Sequence, residues 1–467
     1  MAITLDSTLS GVAQEQPEKK ESARRRQAAI LILNISSPWK MNAFLEKFLN
    51  GNKSMEFLHS LRIPPMVTSV RMNLFKESKE HIIKRLQEEL DRQSIEKHWD
   101  KFQIIPDGEL EELLLIPCIK REIPSFRSLE VIVDVECAQA VLRGADIFIP
   151  GILSMSPSIE VGELISVYVD LEGKCKKGTV ELYKGRKEFI GNGICQFSRN
   201  GIFQGKNAPK SGVAIKMVEM EYCHPSLKGV LEDLIFVQNV PSLLTVFVLN
   251  PQPGMLVLDM CASPGGKTTH IAQKMKQDGI VLAFDKNKRK VEIIKKNAER
   301  FNSTIIRAVC MDSSKCINYQ NGLCLPEDLL NGDIETKKLS PGIFDRILLD
   351  PPCSGIGQRP CLIEPPVPDE TFSDFQLKLF RKAIELLKVG GEIVYSTCTV
   401  NPDENEHVIH KILNEFENMS LLPIKSNYGH GGLPIDPRFD HQKVKRFTPS
   451  KECDHIAFFM AHLRKIK

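Results

Sequence analysis

Long apolar runs are missing from this chain. No stretch approaches the roughly 20 residues needed to span a bilayer, so the sequence reads as that of a soluble protein with no membrane partner. Net charge is almost absent as well: 62 Lys plus Arg face 59 Asp plus Glu, leaving +3 over 467 residues. A globally basic nucleic-acid binder is excluded, and any site for a polyanion has to be a local patch. No Cys-x-x-Cys pair occurs, and the 13 cysteines, an odd number, are mostly scattered singly through apolar segments. That usage argues against a disulfide framework and a zinc centre, and it fits reduced thiols in the cytoplasm. Internal repeats are also lacking, and only residues 360–368 are biased in composition, towards proline.

With 42% hydrophobic and 26% charged residues, the chain is too apolar for disorder and too long for one core. Two or three globular domains are expected. At the start, Lys19, Lys20 and Arg24 to Arg26 precede a short apolar run at 28–33 and imitate a signal peptide. Asn34 interrupts that run, no small-residue cleavage site follows, and Asp6, Glu15 and Glu18 come first, so residues 1–40 are expected to be a disordered, solvated tail.

Residues 41–109 read as a mainly helical, RRM-like segment, with Ile82, Leu86 and Leu90 at helical spacing after the Pro64-Pro65 turn. Over 110–205 the texture changes to short β-type runs at 113–116, 131–135, 147–150, 164–169 and 188–190, which predicts a compact β-barrel or sandwich. Within it Gly173-Lys174-Cys175-Lys176-Lys177-Gly178 forms a basic turn suited to phosphates. From 206 to 467 strands at 255–258, 280–284, 305–309, 344–349 and 392–395 alternate with helices at 288–300, 372–387 and 404–416. Alternation of this kind predicts an α/β, doubly wound parallel sheet that binds its ligand at the carboxyl ends of the strands.

The run 256–269 reads as a buried strand that turns through Cys261-Ala262-Ser263-Pro264-Gly265-Gly266-Lys267 into a helix. Gly265 and Gly266 allow backbone to approach a ligand, and Thr268 or Thr269 is suited to cap the helix. Gly266-Lys267-Thr268 matches the second half of a phosphate-binding loop, but Cys261 stands where its first glycine is required, and no Gly-x-Gly-x-x-Gly occurs. A ligand without pyrophosphate remains, and S-adenosylmethionine qualifies. Asp285 closes the second strand where an acid accepts ribose hydroxyls, and Asp312 follows the third on the adenine side. Asp259, Asp285, Asp312 and Asp350 thus stand at four successive strand ends, more than chance helix capping supplies.

The fourth strand leads into Asp350-Pro351-Pro352-Cys353-Ser354-Gly355, and the fifth into Ser396-Thr397-Cys398-Thr399. Side by side, they bring two thiols to the ligand edge, whereas Cys118, Cys137 and Cys310 read as inert core residues. Two thiols beside a methyl donor suit C5 methylation of a pyrimidine, which needs a thiolate to add to C6 before C5 becomes nucleophilic. Asp350 is suited to hold the amino group of cytosine. Either Cys353, as in DNA cytosine methyltransferases, or Cys398 is a candidate for the attack. Zinc-dependent deamination is excluded, because Pro352-Cys353 has no second cysteine at the required spacing and none of the 11 histidines begins His-x-Glu.

These motifs resemble the Sun-domain (NSUN) family of RNA cytosine-C5 methyltransferases. The resemblance rests on residues 259–267, on 350–355 with Gly357-Gln358-Arg359-Pro360, and on 396–399 with Glu404-Asn405-Glu406. Phe236-Val237-Gln238-Asn239 and Ala457-Phe458-Phe459 look like further landmarks, and residues 140–146 with Gly191-Asn192-Gly193 resemble the PUA RNA-binding barrel. Arg71, in residues 68–73, resembles the segment that precedes a PUA insertion. An inserted PUA barrel is similar to the family's sixth member, which methylates cytosine 72 in the acceptor stem of certain tRNAs and reads the adjoining CCA end. The resemblance implies a Rossmann-like class I methyltransferase domain, a monomeric enzyme and S-adenosylmethionine as cofactor. It also implies Cys398 as nucleophile, Cys353 in product release, and Asp350 and Lys267 beside them. Cofactor contacts are implied for Cys261 to Lys267, Asp285, Lys290, Asp312 and Asp350. RNA contacts are expected at Arg143, Lys174, Lys176 and Lys177. Departures are Ser263 and Pro351 where alanine is usual, and the absence of tryptophan at 361–369. A catalytically silent RNA-binding platform, or methylation of another RNA, is the competing expectation.

Overall fold

The computed structural model describes residues 38–203, 211–317, 323–324, 338–365, 367 and 372–467. The basic leader and most of the expected tail lie outside the described residues, as does part of the 361–369 loop. Among the described residues, no helix is long and apolar enough to cross a membrane.

The carboxyl-terminal part is built on an eight-stranded sheet. Its elements are α1 (Val240–Leu249), β1 (Leu256–Asp259), α2 (Gly266–Lys274), β2 (Ile280–Asp285), α3 (Lys288–Arg300), β3 (Ile306–Cys310) and β4 (Phe344–Leu349). They continue with α4 (Ser373–Leu386), β5 (Leu387–Thr397), α5 (Glu406–Glu415), β6 (Met419–Leu422), β7 (Lys445–Phe447) and β8 (Phe458–Lys465). The order is β3-β2-β1-β4-β5-β8-β6, with β7 also on β8. Strands β1 to β5 run parallel, and β8 joins β5 antiparallel, pairing Thr397 with Phe459. Side chains of a strand point alternately to the two faces, and the cores follow. Val257, Val281, Leu348 and Val394 pack with Val246, Leu249 and Ile271 of α1 and α2. Leu258, Leu282, Ile347 and Ile393 pack with Phe380, Ile384 and Ile409 of α4 and α5. The expected α/β class is the one found.

The middle of the chain is a six-stranded barrel sheet comprising Ile147–Phe148, Val213–Glu219, Lys187–Cys195, Leu164–Asp170, Glu130–Val133 and Ile152–Met155 in spatial order. Strand Val213–Glu219 pairs with Lys187–Cys195, so barrel structure continues past residue 205, where the catalytic part was expected to begin. The run at 113–116 is not in the barrel either. Leu113–Pro117 pairs with Val67–Met72, which also pairs with Ile235–Val237, in a four-stranded sheet backed by helix Lys79–Lys97. A segment expected to be mainly helical therefore contributes a strand, and the sheet closes only after the barrel has been inserted. Period-2 runs mark a strand without naming its partner, which explains both corrections.

The two sheets meet through Arg71, which is fully buried. Its guanidinium donates to Oε1 of Gln238 at 2.9 Å, Oε1 of Gln273 at 2.6 Å and Oγ1 of Thr269 at 2.8 Å. The rings of Phe236 and Phe301 lie 5.5 and 5.2 Å from its carbon Cζ. Burial pulls the guanidinium down to about 9, still protonated at neutral pH. Arg71→Met strips three buried acceptors of their donor and is expected to cost about 3 kcal/mol. Urea unfolding checks this, and a loss below about 1 kcal/mol contradicts it.

Candidate active site

The parallel pairing of β4 with β5 sets Leu349 opposite Tyr395, and both strands end at the same edge. Four residues on stands Cys353, three on stands Cys398, and the two sulfurs are 3.3 Å apart. Both thiols are free and half-buried. Their environments push them in opposite directions. Cys398 is lowered, because the S–H that Cys353 donates to it, helped to a smaller degree by the Lys267 ammonium, outweighs burial and Asp350. Cys353 is raised, by that same donated bond and by burial. The asymmetry favours thiolate character on Cys398 over Cys353.

Asp350 stands directly behind them with each oxygen engaged once. Oδ1 accepts from Ser396 Oγ at 2.6 Å, and Oδ2 accepts from Lys267 Nζ at 2.7 Å. Burial opposes the charge on Lys267, but the Asp350 carboxylate outweighs it and raises the ammonium above its usual range. The ring of Phe458, in one of the expected landmarks, lies 5.6 Å from Nζ. A carboxylate oxygen has room for a second donor, so Asp350 keeps capacity for an exocyclic amine.

The loop 260–266 is positioned from both sides. Ala262 N donates to Phe284 O at 2.8 Å, and Gly265, at φ 102°, begins α2. A Cβ on Gly266 lies 3.0 Å from the Phe236 ring, and one on Gly265 lies 3.4 Å from Cα of Ile294. The absent side chains thus let Phe236 and α3 pack closely on this loop. Thr268 and Thr269 do not cap the helix: Thr268 donates to Asp259 Oδ2 at 2.8 Å, and Thr269 to Gly266 O at 3.1 Å. Cys261 and Ser263 are half-buried and Pro264 is exposed, while Ala262 is buried. Burial pushes the Cys261 thiol up, and the charge of exposed Lys290 reaches it from α3.

The four strand-end acids divide. Asp259 is buried and internal, and burial raises its carboxyl to about 7. Asp285 Oδ1 accepts from Asn287 N at 2.9 Å, and Asp312 Oδ1 accepts from Ser314 N at 3.0 Å and its hydroxyl at 2.7 Å. Each therefore commits one oxygen locally and offers the other. Cys310, expected in the core, is exposed, because β3 is the sheet's edge strand. On the barrel, Arg143, Lys174, Lys176 and Lys177 are all exposed. The basic turn is tethered by Asp170, which accepts from Glu172 N, Gly173 N and Cys175 N, while Lys174 pairs with Glu172 at 3.2 Å.

Three residues were given no role by the sequence. Ser396 sat inside a recognised motif, and Glu404 was only a landmark. Gln376 on α4 carried no signal at all, yet its amide donates to Pro352 O at 3.0 Å.

Residues 246–464 match the family model for 16S rRNA methyltransferases RsmB/F, and residues 130–208 match the PUA domain. The human tRNA (cytosine(72)-C(5))-methyltransferase NSUN6 is 42% identical over 84% of this chain and 82% of its own length. The tRNA (cytosine(72)-C(5))-methyltransferase of Pyrococcus horikoshii is 28% identical over 92% of this chain and 97% of its own length. The crystal structure of NSun6 from P. horikoshii with SFG superposes with a TM-score of 0.72 at 25% identity, covering 92% of this chain and 98% of that one. Fold, thiol pair and matches together define an RNA cytosine-C5 methyltransferase, of a class that depends on S-adenosylmethionine. The chain belongs to the Sun-domain methyltransferase family and carries that family's PUA domain.

Cys398 is accordingly expected to alkylate with iodoacetamide before Cys353 and at a pH below the ordinary thiol range. Cys353→Ala removes the donated S–H and should shift the Cys398 profile to higher pH. Peptide mapping of the labelled protein checks both, and first labelling of Cys353 contradicts them.

Proposed function

We propose that the protein methylates C5 of cytosine 72 in the acceptor stem of tRNA, through a covalent adduct between Cys398 and C6, as a cytoplasmic monomer. One observation carries the chemistry: two thiols 3.3 Å apart, polarised in opposite senses, beside a carboxylate able to accept a base amine. The substrate reading is supported by relatives named for that nucleotide, which this chain matches over most of their length.

The cofactor edge suits S-adenosylmethionine. Asp285 and Asp312 each have an oxygen free for hydroxyl or amine donors. Lys267, the cation of the loop, is committed to Asp350, which disfavours a pyrophosphate. Cys261 to Gly266, Asp285, Lys290 and Asp312 hold the cofactor in this reading, which agrees with the analogue named in the P. horikoshii neighbour. When bound, it supplies an electrophilic methyl group on a sulfonium.

The remaining steps belong to the chain. Asp350, braced by Lys267 and Ser396, accepts the cytosine amine and selects against a carbonyl at that position. Cys398 forms a bond to C6, C5 gains electron density and takes the methyl group, and S-adenosylhomocysteine leaves. Loss of the C5 proton then returns the electrons to the ring and expels the Cys398 thiolate, with Cys353 assisting at the adjacent sulfur. Arg143, Lys174, Lys176 and Lys177 on the barrel contact the acceptor stem and CCA end.

Labelled S-adenosylmethionine with a set of tRNA transcripts tests the substrate. Label should enter as 5-methylcytosine and disappear when cytosine 72 is replaced or the CCA end removed. Label that persists on those altered transcripts, or that enters only ribosomal RNA, contradicts the assignment.

A further inference from the structure

The turn that carries Cys353 is held by a carboxylate that the chemistry above does not use. Glu404 is fully buried, and no cation forms a salt bridge with it among the described residues. Its oxygens accept only N–H groups. Oε2 takes Ser354 N at 2.9 Å and Gln376 Nε2 at 3.2 Å, and Oε1 takes Asn401 Nδ2 at 2.9 Å. The same turn is fastened twice more, by Gln376 Nε2 to Pro352 O at 3.0 Å and by the Ser354 hydroxyl to that of Thr399 at 2.8 Å. Three of these bonds fall on the residues flanking Cys353, at Pro352 O, Ser354 N and the Ser354 hydroxyl, and the last of them ties that turn to Thr399, next to Cys398. Cys398 instead follows β5, which is hydrogen-bonded on both sides, to β4 and β8. A buried carboxylate without a cation is costly unless several donors satisfy it. Here those donors come from the release cysteine's turn, α4 and the segment after β5.

We infer that Glu404 is a positioning residue for product release: it fixes Cys353 against Cys398, so that weakening it slows breakdown of the adduct while leaving attack on C6 in place. The inference rests on the thiol roles proposed above. Glu404→Gln tests it with almost no change of shape. Both carboxylate oxygens accept donors, so a carboxamide must turn an NH2 towards Asn401 or towards Ser354 and Gln376. Gln376→Met is a second variant, which loosens the same turn from α4 and takes one donor from Glu404 while leaving the carboxylate itself in place.

The readout is the fraction of protein trapped on substrate tRNA with S-adenosylmethionine, resolved on a denaturing gel, with Cys353→Ala as reference. Both variants should accumulate adduct at least about tenfold over the native protein, with turnover reduced in proportion. The double change Glu404→Gln, Cys353→Ala should trap no more than Cys353→Ala alone, and adding Cys398→Ala should abolish trapping. If Cys353→Ala traps RNA but Glu404→Gln and Gln376→Met lose turnover without trapping, Glu404 is only structural and the inference fails. If Cys353→Ala itself traps none, the thiol roles fail first.

Discussion

Two parallel strands hydrogen-bonded side by side govern this molecule. Because β4 and β5 pair with Leu349 opposite Tyr395, whatever follows either strand emerges at one edge, a few ångströms from the other. A thiol on each therefore meets its counterpart at 3.3 Å, although 45 residues separate them in the chain. A sulfur pair at that distance in a half-buried site is polarised unequally, which lowers Cys398 and raises Cys353. Asp350, closing the same strand as Cys353, reaches Ser396 on the other for the same reason. The pairing of two strands thus fixes the thiols and the Asp350 carboxylate together.

Around that edge the protein invests in buried polar contacts more than in surface charge. Arg71 fastens the amino-terminal sheet to the cofactor loop, and Arg359 donates to Ser60 O at 2.8 Å and to Asp454 at 2.9 Å, tying residues 60–64 to the turn after Cys353. Arg446 and Glu406 form a fully buried bidentate pair at 2.9 Å beneath the segment that follows Cys398. Breaking any such pair leaves an unpaired buried charge, a far larger penalty than loss of a surface bridge. A cradle held this way keeps its groups in register without help from the overall charge, which is why a chain at +3 can still act on RNA.

The parallel sheet and its edge were legible because the information is local. Strand–helix alternation announces the sheet, and motifs at strand ends announce the site. Helix α3 at 288–300 and β4 at 344–349 were both placed correctly from that alternation of apolar runs with helical stretches. What stayed hidden was non-local. Nothing near Leu113 says that its partner is Arg71, and nothing near Ile235 says that it completes a sheet begun at Val67. The glycine pair has a neighbour hidden in a similar way: a side chain on Gly266 would meet Phe236, thirty residues upstream, and only the fold reveals that contact. Gln376 shows the limit most plainly, since a helical glutamine has no spacing that betrays a bond to Pro352 O.

The central claim is that Cys398, and not Cys353, bonds to the base. Substrate tRNA carrying 5-fluorocytosine at position 72 tests it most directly, because a fluorine at C5 cannot leave as a proton does and the adduct is arrested after methyl transfer. Protease digestion and mass spectrometry of the arrested complex should find the nucleotide on the peptide containing Cys398, with Cys353 unmodified. A nucleotide on Cys353, or no adduct in the presence of S-adenosylmethionine, contradicts the account.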